Sequence, residues 1–173
     1  MKASSSSTKS SASKSTTQSI KIGLTKEQRT DSIDTLKAIL ANQHVLYIKT
    51  RNFHWNLVGP RFHSLHEFFE SQYKALEAAI DQTAERIRMI GGVSPGSMKS
   101  FLEDASLKEC ASSPIDGLDA VRALRADHET VIRELREAID KLSDIGDAGT
   151  EDFVTGLIQE HEQAAWMLRS YEG

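Results

Sequence analysis

The chain has 173 residues, with 21 Lys and Arg against 25 Asp and Glu, 6 His and a net charge of −4. That length suits one domain with a core of its own; no apolar run approaches the roughly 20 residues of a membrane span, and the start lacks the apolar centre of an export signal. The single cysteine, Cys110, excludes an internal disulfide, reads as a buried neutral thiol and points to a reducing compartment.

Residues 1–22 are rich in Ser and Thr, with spaced lysines and few apolar side chains. Such a segment cannot bury enough surface to offset its ordering entropy, so a flexible, disordered tail is expected. Lys2, Lys9, Lys14 and Lys21 all precede the first acid, Glu27. The remainder is therefore more acidic than the whole. An acidic body attracts metal cations and repels DNA, and a basic tail does the opposite. The tail reads as an inert solubilising segment, as a plastid-type transit peptide, or as a polycationic arm contacting phosphates by counterion release. Many copies on one assembly would strengthen such an arm through effective concentration.

Residues 23–173 read as one domain. Thr25-Lys-Glu-Gln28 is a capping box that starts a first helix. Ile33, Leu36, Ile39, Leu40, Leu46 and Phe53 carry its 3.6-residue rhythm to about Asn56, ahead of Gly59-Pro60. Pro60 is placed in the first turn of a second helix, which runs to Ile90 and is stopped by Gly91-Gly92. The link from Gly91 to about Asp116 is long and must cross the bundle, with a short helix over Ser97–Glu103. Asp116 caps a third long helix, Gly146 to Gly149 form a turn, and Thr150 is expected to cap a fourth. No strand candidate emerges. The expected fold is all-α: a four-helix bundle with one long crossover carrying a short helix.

The chemistry concentrates between His54 and Glu85. His66 and Glu70 lie four apart, as do Asp81 and Glu85, so each pair shares a helix face one turn apart. His66 and Asp81 are separated by about 22 Å of helix at about 1.5 Å per residue, yet all four side chains fall on one stripe about 100° wide. The two pairs cannot hold one metal within a single chain. A second copy running antiparallel across a two-fold axis would bring each pair to the other and create two identical sites. Glu77 shares the stripe and is expected to pair with Lys74 or Arg88 instead. His63 reads as a surface residue, and His44, His128 and His161, without a partner at helical spacing, read as structural. No Glu-x-x-His occurs anywhere, which argues against a two-metal centre inside one bundle of the ordinary ferritin kind.

The segments FHWN, HSLHEFFE, DQTAERI, IGG and PGS together resemble the Dps proteins (DNA-binding protein from starved cells), the miniature ferritins of bacteria and archaea. The resemblance runs from about residue 26 to the C-terminus. It implies a ferritin-like bundle and iron sites between subunits, with His54, His66 and Glu70 from one chain and Asp81 and Glu85 from its partner. Family members often carry Asp where this chain has Glu70. The resemblance implies iron as the metal, two ions per site with the second held weakly. Zn or Mn are possible substitutes, since imidazole with carboxylate suits all three. It also implies Fe(II) oxidation by hydrogen peroxide, a mineral core in a hollow dodecamer, and DNA contact through Lys2, Lys9, Lys14 and Lys21. Trp55, beside His54, would pack near the metals or intercept oxidising equivalents. The implied location is cytoplasmic and nucleoid-associated, with no membrane. Asp140, Asp144 and Asp147 are candidate pore acids. Two competing readings are a nucleoid-compacting DNA-binding protein whose metal site is merely structural, and a helical oligomer without chemistry.

Overall fold

The computed structural model describes residues 20–173. The expected tail lies almost wholly outside them; of its lysines only Lys21 is described, and it is exposed. The described residues form α1 (Lys26–Asn56), β1 (Leu57–Val58), α2 (Phe62–Met89), α3 (Met98–Asp104), β2 (Ile115–Asp116), α4 (Gly117–Ile145) and α5 (Ala148–Glu172). The four long helices make the bundle, and α3 rides on the crossover against α1. No described helix is long and apolar enough to cross a membrane.

Local chemistry sets the ends of these helices. Both capping-box bonds form at α1: Gln28 N–H donates to Thr25 Oγ1 at 3.2 Å, and Thr25 N–H donates to Gln28 Oε1 at 2.8 Å. Gln28 also donates its amide to the Ile145 carbonyl at 2.7 Å, tying the start of α1 to the end of α4. Gly91 takes φ +92° and lets Gly92 N–H reach back to the Ile87 carbonyl at 2.9 Å, a closing turn that L side chains resist.

Three expectations need correction. Pro60 lies in the turn before α2, whose first helical residue is Phe62, because Gly59 turns the chain at φ +104°. Asp147, not Thr150, caps α5: its carboxylate accepts from Thr150 N–H at 3.1 Å, and the Thr150 hydroxyl then donates to the same carboxylate at 2.6 Å. A short parallel strand pair exists, Leu57 opposite Ile115 and Val58 opposite Asp116, and it pins the far end of the crossover beside the end of α1.

α1 is covered on several sides and buries polar residues as well as apolar ones. Leu36, Leu40, Leu46, Phe69, Leu124 and Leu135 fill the centre. Lys49 meets Asp127 of α4 at 2.6 Å with little exposure of either. Asn42 donates to Glu134 at 2.6 Å and accepts from the N–H groups of Ser106 and Leu107, so the crossover is bonded to the bundle as well as packed on it. Cys110 is half-buried, and Asn52 donates to its sulfur at 3.2 Å.

Candidate metal centre

His54 ends α1 and His66 begins α2, and the tight Leu57–Arg61 connection folds one over the other. Their rings stack with centroids 3.7 Å apart and 16° between planes. His54 Nδ1 lies 2.8 Å from the His66 carbonyl oxygen, and His66 Nδ1 lies 2.9 Å from the His54 carbonyl oxygen. A carbonyl oxygen only accepts, so each Nδ1 carries the proton, and in each neutral ring the lone pair is on Nε2. That is how metal-binding imidazoles are commonly held: one nitrogen is anchored by a backbone acceptor while the other is free to ligate.

Glu70 follows one turn after His66. Its carboxylate accepts from Lys74 rather than standing free. That bond and the Lys74 charge, with smaller contributions from His54 and His66, hold its carboxyl below the usual carboxylate range. Lys74 therefore pairs with Glu70, not with Glu77. Asp81 and Glu85 lie further along the same helix, both exposed. Among the described residues no group of three or more His, Cys, Asp or Glu side chains is gathered closely enough to hold a metal. One chain thus brings together His54 and His66, with Glu70 beside them, and leaves Asp81 and Glu85 at a distance.

Aromatic side chains surround the histidine pair. Phe62 stacks on His66 at 5.1 Å, and Tyr73 meets the His54 ring edge-on at 5.3 Å. Arg51 places its guanidinium 4.8 Å from the Trp55 ring and 5.3 Å from Tyr73, and donates to the Tyr47 hydroxyl at 2.7 Å. Trp55, Val58 and Phe62 are nonetheless 62%, 48% and 44% exposed, an apolar rim at the same end as the histidines.

The other candidates separate. His63 is on the surface near Glu67, and His44 stacks on Phe101 at 3.7 Å. Asp147 is withdrawn as a pore acid, being 3% exposed, bonded to Thr150 and paired with Arg86 at 3.3 Å, whereas Asp140 and Asp144 stay exposed. His128 and His161, which carry no spacing signal, meet across α4 and α5 with Nδ1 atoms 2.9 Å apart in the bundle interior.

A family model described as a ferritin-like domain matches residues 33–172. A low temperature-induced protein of Nostoc sp. is 48% identical over 153 residues, covering 88% of this chain and 86% of that protein. DNA protection during starvation protein 2 of Bacillus anthracis is 38% identical over 140 residues, covering 80% of this chain and 94% of that protein. Among solved structures, a Dps protein from Vibrio cholerae O1 superposes with a TM-score of 0.84 at 33% identity, covering 88% of this chain and 95% of that one. With the bundle, the crossover helix and the histidine clasp in place, the chain belongs to the ferritin-like family, in its Dps branch.

Proposed function

We propose that this chain is a Dps-type ferroxidase and iron-storage protein whose sites are shared between two copies. His54, His66 and Glu70 of one chain and Asp81 and Glu85 of its partner would take Fe(II) as substrate. The observation that carries this reading is the reciprocal clasp of His54 and His66, which leaves both Nε2 lone pairs free beside an ionised Glu70. The acids that would complete a ligand set are on the same α2 stripe, too far along it to reach within one chain. The exposed rim of Trp55, Val58 and Phe62 supports a partner at this end, since apolar patches of this kind mark association surfaces.

The chemistry is a two-electron reduction of hydrogen peroxide. Two Fe(II) ions give one electron each, the O–O bond breaks, two protons are taken up and two waters leave. Delivering both electrons together avoids releasing hydroxyl radical. The ferric product would hydrolyse and collect as mineral inside a hollow shell, a dodecamer built from two-fold pairs. The expected setting is the cytoplasm, near the nucleoid. The test is anaerobic Fe(II) titration followed by peroxide, in the parent and in His66→Ala/Asp81→Ala. Oxidation in the double variant should fall at least about tenfold, as loss of ligands and their supports does elsewhere. Unchanged kinetics would reject the centre.

The lysines ahead of the first acid support a second role, DNA contact through Lys2, Lys9, Lys14 and Lys21. Binding to duplex should then weaken steeply with salt and show little sequence preference. Deleting residues 1–22 should remove binding and leave the oxidation rate unchanged. Loss of DNA binding in a protein that shows no peroxide-dependent Fe(II) oxidation with or without its tail would favour the nucleoid-compacting alternative, in which the metal site is merely structural.

A further inference from the structure

His66 and Glu70 occupy one side of α2; Gln72, about 200° around the helix from Glu70, faces the opposite way. There α2, α4 and α5 line a half-open pocket of about 360 Å³ whose lining includes Phe68, Gln72, His128, Glu160, His161 and Met167. His128 and His161 are each 2% exposed and Gln72 7%. The two imidazoles share one hydrogen bond through their Nδ1 atoms, so one ring donates and the other accepts. His128 Nε2 has no partner, and neither the nitrogen nor the oxygen of the Gln72 amide has one. Buried polar atoms without partners are rare in folded proteins, and each costs about 1–3 kcal/mol. The two on Gln72, which lines the same pocket as the imidazole pair, call for an occupant.

The three residues also share a layer. The His54–His66 stack sets the register of α1 against antiparallel α2, and the Lys49–Asp127 pair sets α1 against α4. Stepping along the helices from those contacts brings Gln72 and His128 to the same height, opposite Ile48. His161 joins them through its bond to His128. Side chains on facing helices of a bundle are a recurring way to build an interior metal site.

The donor atoms select the occupant. Burial holds both imidazoles below the ordinary histidine range, His161 at about 4, so they are neutral donors at neutral pH and offer no charge to an anion. Two imidazole nitrogens with an amide oxygen suit a late first-row divalent cation. The 2.9 Å between the Nδ1 atoms is also near the spacing of two adjacent ligands on one ion, which is about 2.9–3.4 Å when each bond is about 2.0–2.1 Å.

We propose that His128, His161 and Gln72 form a second site, inside the bundle and separate from the α2 stripe, for one late first-row divalent cation such as Zn²⁺. The ion replaces the hydrogen shared by the two Nδ1 atoms. The ring that had donated then carries its proton on Nε2, so no proton is lost overall. Water completes the coordination.

The test uses the full chain with His66→Ala/Asp81→Ala, which disables the shared site first. Anaerobic Co²⁺ titration of that background should still show about one tight equivalent per chain with the visible bands of nitrogen-ligated Co²⁺. Adding His161→Phe should abolish those bands, and adding Gln72→Leu should weaken binding about 10-fold or more. A background that binds no Co²⁺, or a His161→Phe protein that binds as tightly as its parent, overturns the proposal. If His161→Phe does not fold, anomalous diffraction from Co²⁺-soaked crystals of the background decides: a peak about 2.0–2.1 Å from both Nδ1 atoms upholds it, and water alone in the cavity overturns it.

Discussion

His54 and His66 each donate Nδ1–H to the other's backbone carbonyl, at 2.8 and 2.9 Å, so neither ring can turn without breaking its own bond and the stack between the rings. In the proposed function this clasp supplies two Nε2 atoms from one chain, and the acids would come from another. The arrangement predicts complementation. His66→Ala and Asp81→Ala chains should each be inactive in Fe(II) oxidation as pure proteins. Unfolded together and reassembled, they form mixed two-fold pairs in which one site carries both lesions and the other carries neither. Peroxide-dependent oxidation should therefore return, toward about a quarter of the parent rate if chains pair at random. No recovery in correctly assembled mixtures would mean that each chain builds its own site.

Lys74 holds the Glu70 carboxylate that the proposed site would use. The pair is on the surface in a single chain, where solvent screening leaves an ion pair at this helical spacing contributing little. Lys74→Met should free Glu70 and tighten anaerobic Fe(II) binding by up to about fivefold. The effect should shrink at high ionic strength, where the parent's pair is already screened. Weaker binding in Lys74→Met would show that Lys74 supports the site instead of competing for it.

Local signals in the sequence were legible where the interaction that sets them is local. Thr25 and Gln28 are three apart and cap α1 as expected, and Gly91-Gly92 ends α2 as expected. The α5 cap was misassigned because Asp147 and Thr150 are both good caps within one turn, and only their mutual bond shows which one accepts. The strand pair joins residues 58 positions apart by two residues on each side, too few to show alternation. At the site, the fours between His66 and Glu70 and between Asp81 and Glu85 are readable as helix geometry. The choice of Lys74 for Glu70 over Glu77 depends on rotamers, and the meeting of His128 with His161 depends on how α4 packs on α5.

Asp147 joins three elements: it caps α5, bonds the Thr150 side chain and meets Arg86 of α2. Burial opposes its ionisation, but the Thr150 hydroxyl and N–H and the Arg86 charge outweigh that and hold its carboxyl below the ordinary range. Asp147→Ala should lower unfolding stability by about 2–4 kcal/mol, combining a lost cap with a half-buried Arg86 left unpaired. Asp147→Asn keeps an acceptor for the cap and should lose less. Because the folded carboxyl titrates below its unfolded value of 3.8, its contribution is intact at neutral pH and disappears as pH falls through the folded value. Equal losses in the two variants, measured by denaturant unfolding, would remove the charge from this account.

His128 and His161 should make the metal-free protein sensitive to mild acid. Burial depresses both, His161 from 6.5 to about 4. Above 6.5 the rings are neutral in the folded and unfolded chains, so they contribute no pH dependence. Below it the unfolded chain takes up protons that the folded chain refuses, and stability falls as long as the folded rings stay neutral, which for His161 is down to about pH 4. For His161 alone that loss is about 3 kcal/mol between pH 6.5 and about 4. Denaturant unfolding in the presence of chelator should show this slope, and His161→Gln should flatten it even if the variant is less stable at neutral pH. Glu160, on the same pocket, has its carboxyl pushed up by burial, which favours the folded chain as pH falls and partly offsets the loss. A stability that is flat from pH 7 to pH 5 in the parent would mean that the imidazole pair is reached by water and titrates freely.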